Sequence, residues 1–213
     1  MLNVAQKLRF LGPAAVFCLA GMFLLSNLST WHGDERFYTD AALQMVRTGD
    51  YLTPRWFDGS PRFRKPVMTY WAVALPYRLF GPGPAAGRLL FLLAGAGVVW
   101  LTSILAGVLF RHRDVPLIAG AIMASNIMLF RSALRSTPDA FLCLFSLLSL
   151  VGFAQLLVVG KRELRWYLAA YAGMGLAIGV KGLPGILPGV GAVLFCALKP
   201  KMLARLRGLV EWR

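Results

Sequence analysis

Acidic residues are scarce in this chain. Nine Asp and Glu stand against 23 Lys and Arg in 213 residues, a formal net charge of +14. In a water-soluble protein that surplus points to nucleic acid. Here the basic residues gather in short links between long uncharged runs, the pattern of topology signals in a membrane protein, and nucleic acid is excluded as a partner. Cysteine is almost absent. Cys18, Cys143 and Cys196 each fall in an apolar run, where a thiol behaves as a small hydrophobe, and there is no C-x-x-C pair or disulfide framework. The two histidines, His32 and His112, fall on links expected on opposite faces of the membrane and cannot share a metal; His32 with Asp34 or Glu35 is the one local donor group. A P-loop, a G-x-G-x-x-G and a G-x-S-x-G are all missing, which removes the common nucleotide-binding and nucleophile-elbow readings. No acid falls in the middle of an apolar run, where proton coupling in a transporter would need one.

What remains is mostly apolar. Hydrophobic residues make up 58% of the chain, against about 45–50% in soluble domains. The fold class is therefore an all-α integral membrane protein with about six transmembrane helices. A first span is expected at 8–28, with Lys7 and Arg9 at its start; it is too long for a signal-peptide core and has no small-x-small cleavage site. Spans 2–6 are expected within 88–198, at 88–110, 116–134, 140–160, 166–180 and 186–198, and a basic tail at 199–213. With the amino terminus inside, twelve of the 23 Lys and Arg fall on inside segments, as the positive-inside rule asks. A seventh span at 67–80 would send Arg111 and Arg113 outside. That stretch also contains Pro76 and Arg78, and its 14 residues reach only about 21 Å, short of a roughly 30 Å core, so it reads as an interfacial helix.

One long polar segment interrupts this pattern. The 29–66 stretch holds five of the nine acids (Asp34, Glu35, Asp40, Asp50, Asp58) and six of the Lys and Arg. Each ionised group in a bilayer core costs about 2.5–3.5 kcal/mol, so the segment belongs in water or among headgroups. From Asp34 the spacing predicts an amphipathic helix of about four turns. Phe37, Ala41 and Met45, flanked by Tyr38, Ala42 and Val46, form its apolar face, and Arg36, Asp40, Gln44 and Arg47 its polar one, with Gly49 as the stop. Asp34 at the amino end has two readings: a cap that offsets the helix dipole, or a carboxylate with chemistry to do. Downstream, Arg62-Phe63-Arg64-Lys65-Pro66 packs three cations into four positions, suited to anionic headgroups or to a held phosphate. The topology brings Asp34, Glu35 and Lys65, then Arg135 and Asp139, then Lys181 to one outer face. Singly, Asp139 reads as a cap and Lys181 as a snorkelling lysine.

The order W-x-x-D-E-R-x-Y (31–38), G-D-Y-L-T-P-R (49–55), F-R-K-P-x-x-x-Y-W (63–71), L-F-G (79–81), T-P-D (137–139) and V-K-G-L-P-G (180–185) resembles the membrane glycosyltransferases that take sugar from a polyprenyl phosphate. The likeness is strongest to the bacterial branch containing lipid A aminoarabinose transferase and more distant to protein O-mannosyltransferases. It implies a bacterial inner-membrane location with the 29–87 loop facing the periplasm. It also implies Asp34 as the principal catalytic carboxylate with Glu35 beside it, and Lys65, Arg36 and Lys181 as positions gripping the lipid phosphate. Arg135 and Asp139 complete the substrate contacts, with Asp139 as a second acid. The implied partners are a polyprenyl-phosphate sugar donor and a lipid or protein acceptor, lipid A among them; a divalent cation is the one cofactor it suggests. Two departures stand out. Where the family commonly reads F-E-K-P this chain has Arg64 in place of the acid, which weighs against aminoarabinose specificity. The chain is also short for the family, so that a fragment, a non-catalytic homologue binding lipid phosphate, or one half of a split enzyme with a partner chain are the alternatives.

Overall fold

The computed structural model describes residues 4–25 and 33–199, with side chains from Phe10 onward; Trp31, His32 and the basic tail beyond Lys199 lie outside the described residues. Among the described residues the chain is helical, without a strand. It runs α1 (Val4–Leu25), α2 (Gly33–Thr48), α3 (Met68–Phe80), α4 (Pro84–Leu109), α5 (Val115–Ala124), α6 (Ile127–Ala133), α7 (Asp139–Phe153), α8 (Leu164–Lys181) and α9 (Leu187–Ala197).

Among the described residues, two helices are long and apolar enough to cross a membrane: α4, and α7 with its π-helical continuation to Val159. A third span is made if α5 and α6 count as one, although they meet at 63°. The run at 116–134 is therefore not the straight helix its composition suggests. Asn126 breaks it: its φ,ψ are extended and its Oδ1 accepts from the Leu129 amide at 2.9 Å, starting a new helix instead of continuing the old one. At 11 residues α9 is about 16 Å long, short of the bilayer core.

α7 and α8 pack through small residues. Ideal Cβ atoms on Gly152 and Gly173 would lie 2.3 Å from the Ala170 nitrogen and 2.8 Å from the Ser149 nitrogen. Only glycine lets the α7 and α8 backbones approach so closely. The Ser149 hydroxyl then donates to the Ala170 carbonyl across the gap, at 2.7 Å.

The polar loop is a folded layer on this bundle. α2 and α3 lie against the start of α4, sharing a core of Tyr38, Ala42, Met45, Tyr70, Val73, Tyr77 and Phe91. α2 stops at Gly49, whose φ of 74° is the left-handed value glycine tolerates. Beyond it Asp50 Oδ1 accepts from the Leu52 and Thr53 amides, both at 3.1 Å, forming an Asx turn. A tight hairpin follows, held by Trp56 N to Ser60 O at 2.8 Å and Arg62 N to Pro54 O at 2.7 Å. The Trp71 indole donates to the Tyr51 carbonyl at 2.7 Å and fastens this turn to α3.

The expected apolar stripe of α2 faces the core: Tyr38, Ala41, Ala42 and Met45 are buried and Val46 packs against them. Phe37 is the exception at 41% exposed, lying edge-on to Trp56. Glu35 is the unexpected addition, fully buried where it meets Arg88 on α4.

Candidate active site

Four faces of α2 meet four different environments, and they sort the polar residues. The first is the Glu35 face. Arg88 Nε and Nη2 donate to the two Glu35 oxygens at 2.7 and 2.9 Å, a bidentate pair with both side chains removed from water. The Ser136 amide donates to Glu35 Oε1 at 3.0 Å. The Ser136 hydroxyl sits 3.2 Å from Oε1 and 3.0 Å from the Gly87 carbonyl, and its one hydrogen serves either acceptor. Glu35 thereby joins α2, α4 and the link before α7. Its oxygens are taken up by the protein, leaving no face from which to touch a substrate.

The second face carries Asp34 and, one turn on, Tyr38. Asp34 is exposed, and no side chain pairs with it among the described residues. Tyr38 is buried and its phenol is pushed up to about 12, by burial first and then by Tyr70, with Asp139 and Asp34 adding to the rise and Arg62 opposing it. Two carboxylates, from α2 and from the start of α7, thus act on one phenol. Asp139 is ion-paired with Lys181 at the carboxyl end of α8. The Thr69 hydroxyl donates to the Val180 carbonyl at 3.2 Å, holding α3 against that same helix end. Asp34 and Asp139, far apart in sequence, therefore both act on Tyr38, and Lys181 comes to the same side through its pair with Asp139.

The third face is closed by Arg62, which sequence reasoning placed in the basic cluster and no further. The side chain is 5% exposed. Its guanidinium carbon lies 4.7 Å from the Trp56 ring centroid, 5.2 Å from Phe37, 5.3 Å from Tyr38 and 5.7 Å from Tyr70, and one nitrogen is hydrogen-bonded to the Tyr70 hydroxyl. Arg62 Nε has no partner among the described residues. Desolvated cation–π contacts of about 2 kcal/mol each offset the cost of burying this charge. No periodicity in the chain marks it out: Arg62 is buried, while Phe63, Arg64 and Lys65 are all exposed. Lys65 and Arg64 line a separate open hollow of about 420 Å³ with Leu52, Pro54, Phe63 and Val67.

On the fourth face Arg36 pairs with Asp40 at 3.5 Å, both partly in solvent. Arg36 does not share a hollow with Lys65, as a joint grip on one phosphate would ask. Arg135 is half-buried in the link beside Ser136, and its guanidinium has no partner among the described residues. No three His, Cys, Asp or Glu side chains are grouped as a metal site would need, among the described residues. Asp34 and Asp139 both act on the Tyr38 phenol, and Asp139 is taken by Lys181. The described residues thus do not by themselves make a divalent-cation site.

Helical spans, an interfacial layer and an open carboxylate backed by a second acid and a lysine define a class that comparison makes specific. Residues 64–208 match the dolichyl-phosphate-mannose-protein mannosyltransferase family, and the chain belongs to it. Among curated relatives it is 31% identical over 181 residues to an uncharacterized protein of Aquifex aeolicus, covering 84% of this chain and 36% of that one. It is 28% identical to the undecaprenyl phosphate-alpha-4-amino-4-deoxy-L-arabinose arabinosyl transferase 2 of Proteus mirabilis, covering 84% of this chain and 32% of that one. The crystal structure of ArnT from Cupriavidus metallidurans in the apo state superposes with a TM-score of 0.78 at 26% identity, over 93% of this chain and 37% of that one. The same protein bound to undecaprenyl phosphate gives 0.77 at 25%, over 96% of this chain and 38% of that one. The chain spans about a third of the length of these curated relatives.

Proposed function

We propose that this chain carries the donor-side machinery of a membrane glycosyltransferase, moving a sugar from a polyprenyl-phosphate donor to an acceptor. The acceptor is a glycolipid such as lipid A, or a protein. The single observation that carries this reading is the exposed Asp34 carboxylate, acting with Asp139, the partner of Lys181, on one buried phenol. In this mechanism Asp34 takes the proton from an acceptor hydroxyl, whose oxygen forms a bond to the anomeric carbon. The bond from that carbon to the phosphate oxygen breaks, and the phosphate leaves with the electron pair. A phosphate is already stable as an anion, so its departing oxygen needs nearby cations instead of a general acid. Lys65 supplies one from its hollow, and Lys181 and Arg135 approach from the α8 and α7 sides. Glu35 acts as a positioning residue through Arg88 and Ser136, setting the angle of α2 so that Asp34 faces outward. If a divalent cation takes part, it would add positive charge at Asp34 and Asp139, with its remaining ligands from outside the described residues.

On this reading the 29–87 layer faces the periplasm of a bacterial inner membrane, where such donors are consumed. A second reading rests on the same basic hollow around Arg64 and Lys65. The chain then binds lipid phosphate as one partner of an enzyme completed by another chain. Sugar transfer from a radiolabelled polyprenyl-phosphate donor distinguishes the two. Transfer by purified protein alone supports the first, transfer only with a partner polypeptide the second, and no donor binding in either arm contradicts both.

A further inference from the structure

A hollow of about 370 Å³ lies on the outer face of α3, walled by Tyr51, Trp71, Ala74, Leu75 and Arg78. It shares no lining residue with the hollow that holds Lys65. Its size falls within the range of about 300–1,000 Å³ typical of small-molecule sites. Trp71, Leu75 and Arg78 follow one another at helical spacing and are exposed, while Tyr70, Val73 and Tyr77 are buried in the core on the other side. The Trp71 indole nitrogen already donates to the Tyr51 carbonyl at 2.7 Å, which fixes the ring as an apolar wall. Arg78 is the residue that sugar transfer leaves unused. It interrupts an apolar run, is exposed, and has no hydrogen bond or ion pair among the described residues. α3 contains no acid, and Asp50, beside Tyr51, is answered by Arg55 at 3.4 Å. Next to Arg78 the helix surface is apolar again, with Leu79 65% and Phe80 70% exposed. A cation in the last turn also offsets the helix dipole, but that role asks for no hollow beside it.

We propose that this hollow binds an anionic phospholipid of the surrounding bilayer, at a site separate from the one at Lys65. The lipid phosphate sits on the Arg78 guanidinium, and the first part of one acyl chain lies on Trp71, Ala74 and Leu75. A guanidinium fork matches two phosphate oxygens at once. A headgroup of net negative charge is selected over a zwitterion, because no carboxylate lines the hollow to receive an ammonium. The tail leaves along Leu79 and Phe80, an apolar surface that a bilayer covers and water does not. A free phosphate would satisfy Arg78 alone and leave the apolar wall bare. The bound lipid ties α3, and through Trp71 the turn at Tyr51, to the membrane surface. This role stands apart from sugar transfer and does not depend on it.

The test titrates the full chain in nonionic detergent with phosphatidylglycerol carrying brominated acyl chains, which quench tryptophan at contact. The difference between wild type and Trp71→Phe isolates the signal of residue 71. Quenching there should saturate, and should need about fivefold more brominated phosphatidylcholine, the scale of one cation at an anionic surface. Arg78→Gln should remove that preference at unchanged melting temperature, and Arg78→Lys should keep part of it. Lys65→Ala should bind phosphatidylglycerol as the wild type does, and inorganic phosphate at equal concentration should not displace it. Equal quenching by the two lipids, an undiminished preference in Arg78→Gln, or displacement by inorganic phosphate would each overturn the proposal. Loss of the signal in Lys65→Ala would do so too, by assigning the lipid to the other hollow. Native mass spectrometry on the same samples counts bound lipid without relying on tryptophan. More phosphatidylglycerol should remain on the wild type than on Arg78→Gln, and equal counts would contradict the site.

Discussion

Removing one partner of the Glu35–Arg88 pair should be far more damaging than removing both. Both side chains are essentially fully buried, and the carboxylate receives two guanidinium bonds and the Ser136 amide. Glu35→Ala leaves a guanidinium without its counter-charge, and breaking such a pair costs about 3–5 kcal/mol. Arg88→Met takes the bidentate counter-charge from the carboxylate and should cost a similar amount. The double variant Glu35→Leu/Arg88→Met removes both charges, roughly keeps the volume, and should recover most of the loss, since apolar replacement of a buried pair is often neutral. Thermal unfolding of the detergent-solubilised variants provides the comparison, with proteolysis around 29–66 showing whether α2 has detached. Additive damage in the double variant would refute the argument, because it would mean that each residue makes its own separate contribution. Normal stability in Glu35→Gln together with lost transfer would also refute it, and would return Glu35 to the reacting groups.

Three other perturbations follow from the same geometry. Arg62→Met should cost about 2–4 kcal/mol through lost cation–π contacts, and should shift the Trp56 emission as the ring 4.7 Å away changes neighbour; unchanged emission and stability would remove the cage from the account. The Asp50 carboxyl sits below its ordinary value of 3.8 because the Thr53 amide, then Leu52, donates to it. A depressed carboxylate contributes its stabilisation above the unfolded value and loses it as pH falls through the folded one, so hydrogen exchange at 50–55, corrected for its intrinsic pH dependence, should be flat from pH 7 to 5 and rise well below 3.8. Lys65→Ala should weaken polyprenyl-phosphate binding by about 1.5–3 kcal/mol, with Lys65→Arg losing less, and equal negligible effects would mark Lys65 as a headgroup anchor.

Local pattern reached the elements whose causes are local. The four-turn α2, its stop at Gly49, the short α3 and the long apolar runs of α4 and α7 all follow from periodicity, glycine and the scarcity of charge. Arg88 was invisible because a cation opening an apolar run looks like a membrane boundary, and its partner lies 53 positions away. Hydrophobic spacing placed the α2 stripe correctly except at Phe37, and it could not show that Glu35 is buried beside that stripe. The bend at Asn126 was hidden by its neighbours, which are apolar on both sides. Of the candidate site, motif order named Asp34, Asp139 and Lys181, but only the fold shows that Tyr38 stands among them, and only the fold separates Arg36 from Lys65.

The central claim is that Asp34 is a reacting carboxylate and not a cap. Asn caps a helix about as well as Asp, so Asp34→Asn preserves shape and capping while removing the base. The decisive measurement is the rate of sugar transfer from a polyprenyl-phosphate donor by Asp34→Asn relative to wild type, with any partner chain present and melting temperature recorded in parallel. Asp58→Asn, in the exposed hairpin, is the matched control. The account predicts a fall of about 10²–10⁴-fold at unchanged stability for position 34, and little change for position 58. Full transfer by Asp34→Asn would contradict it and leave Asp34 as the end of a helix.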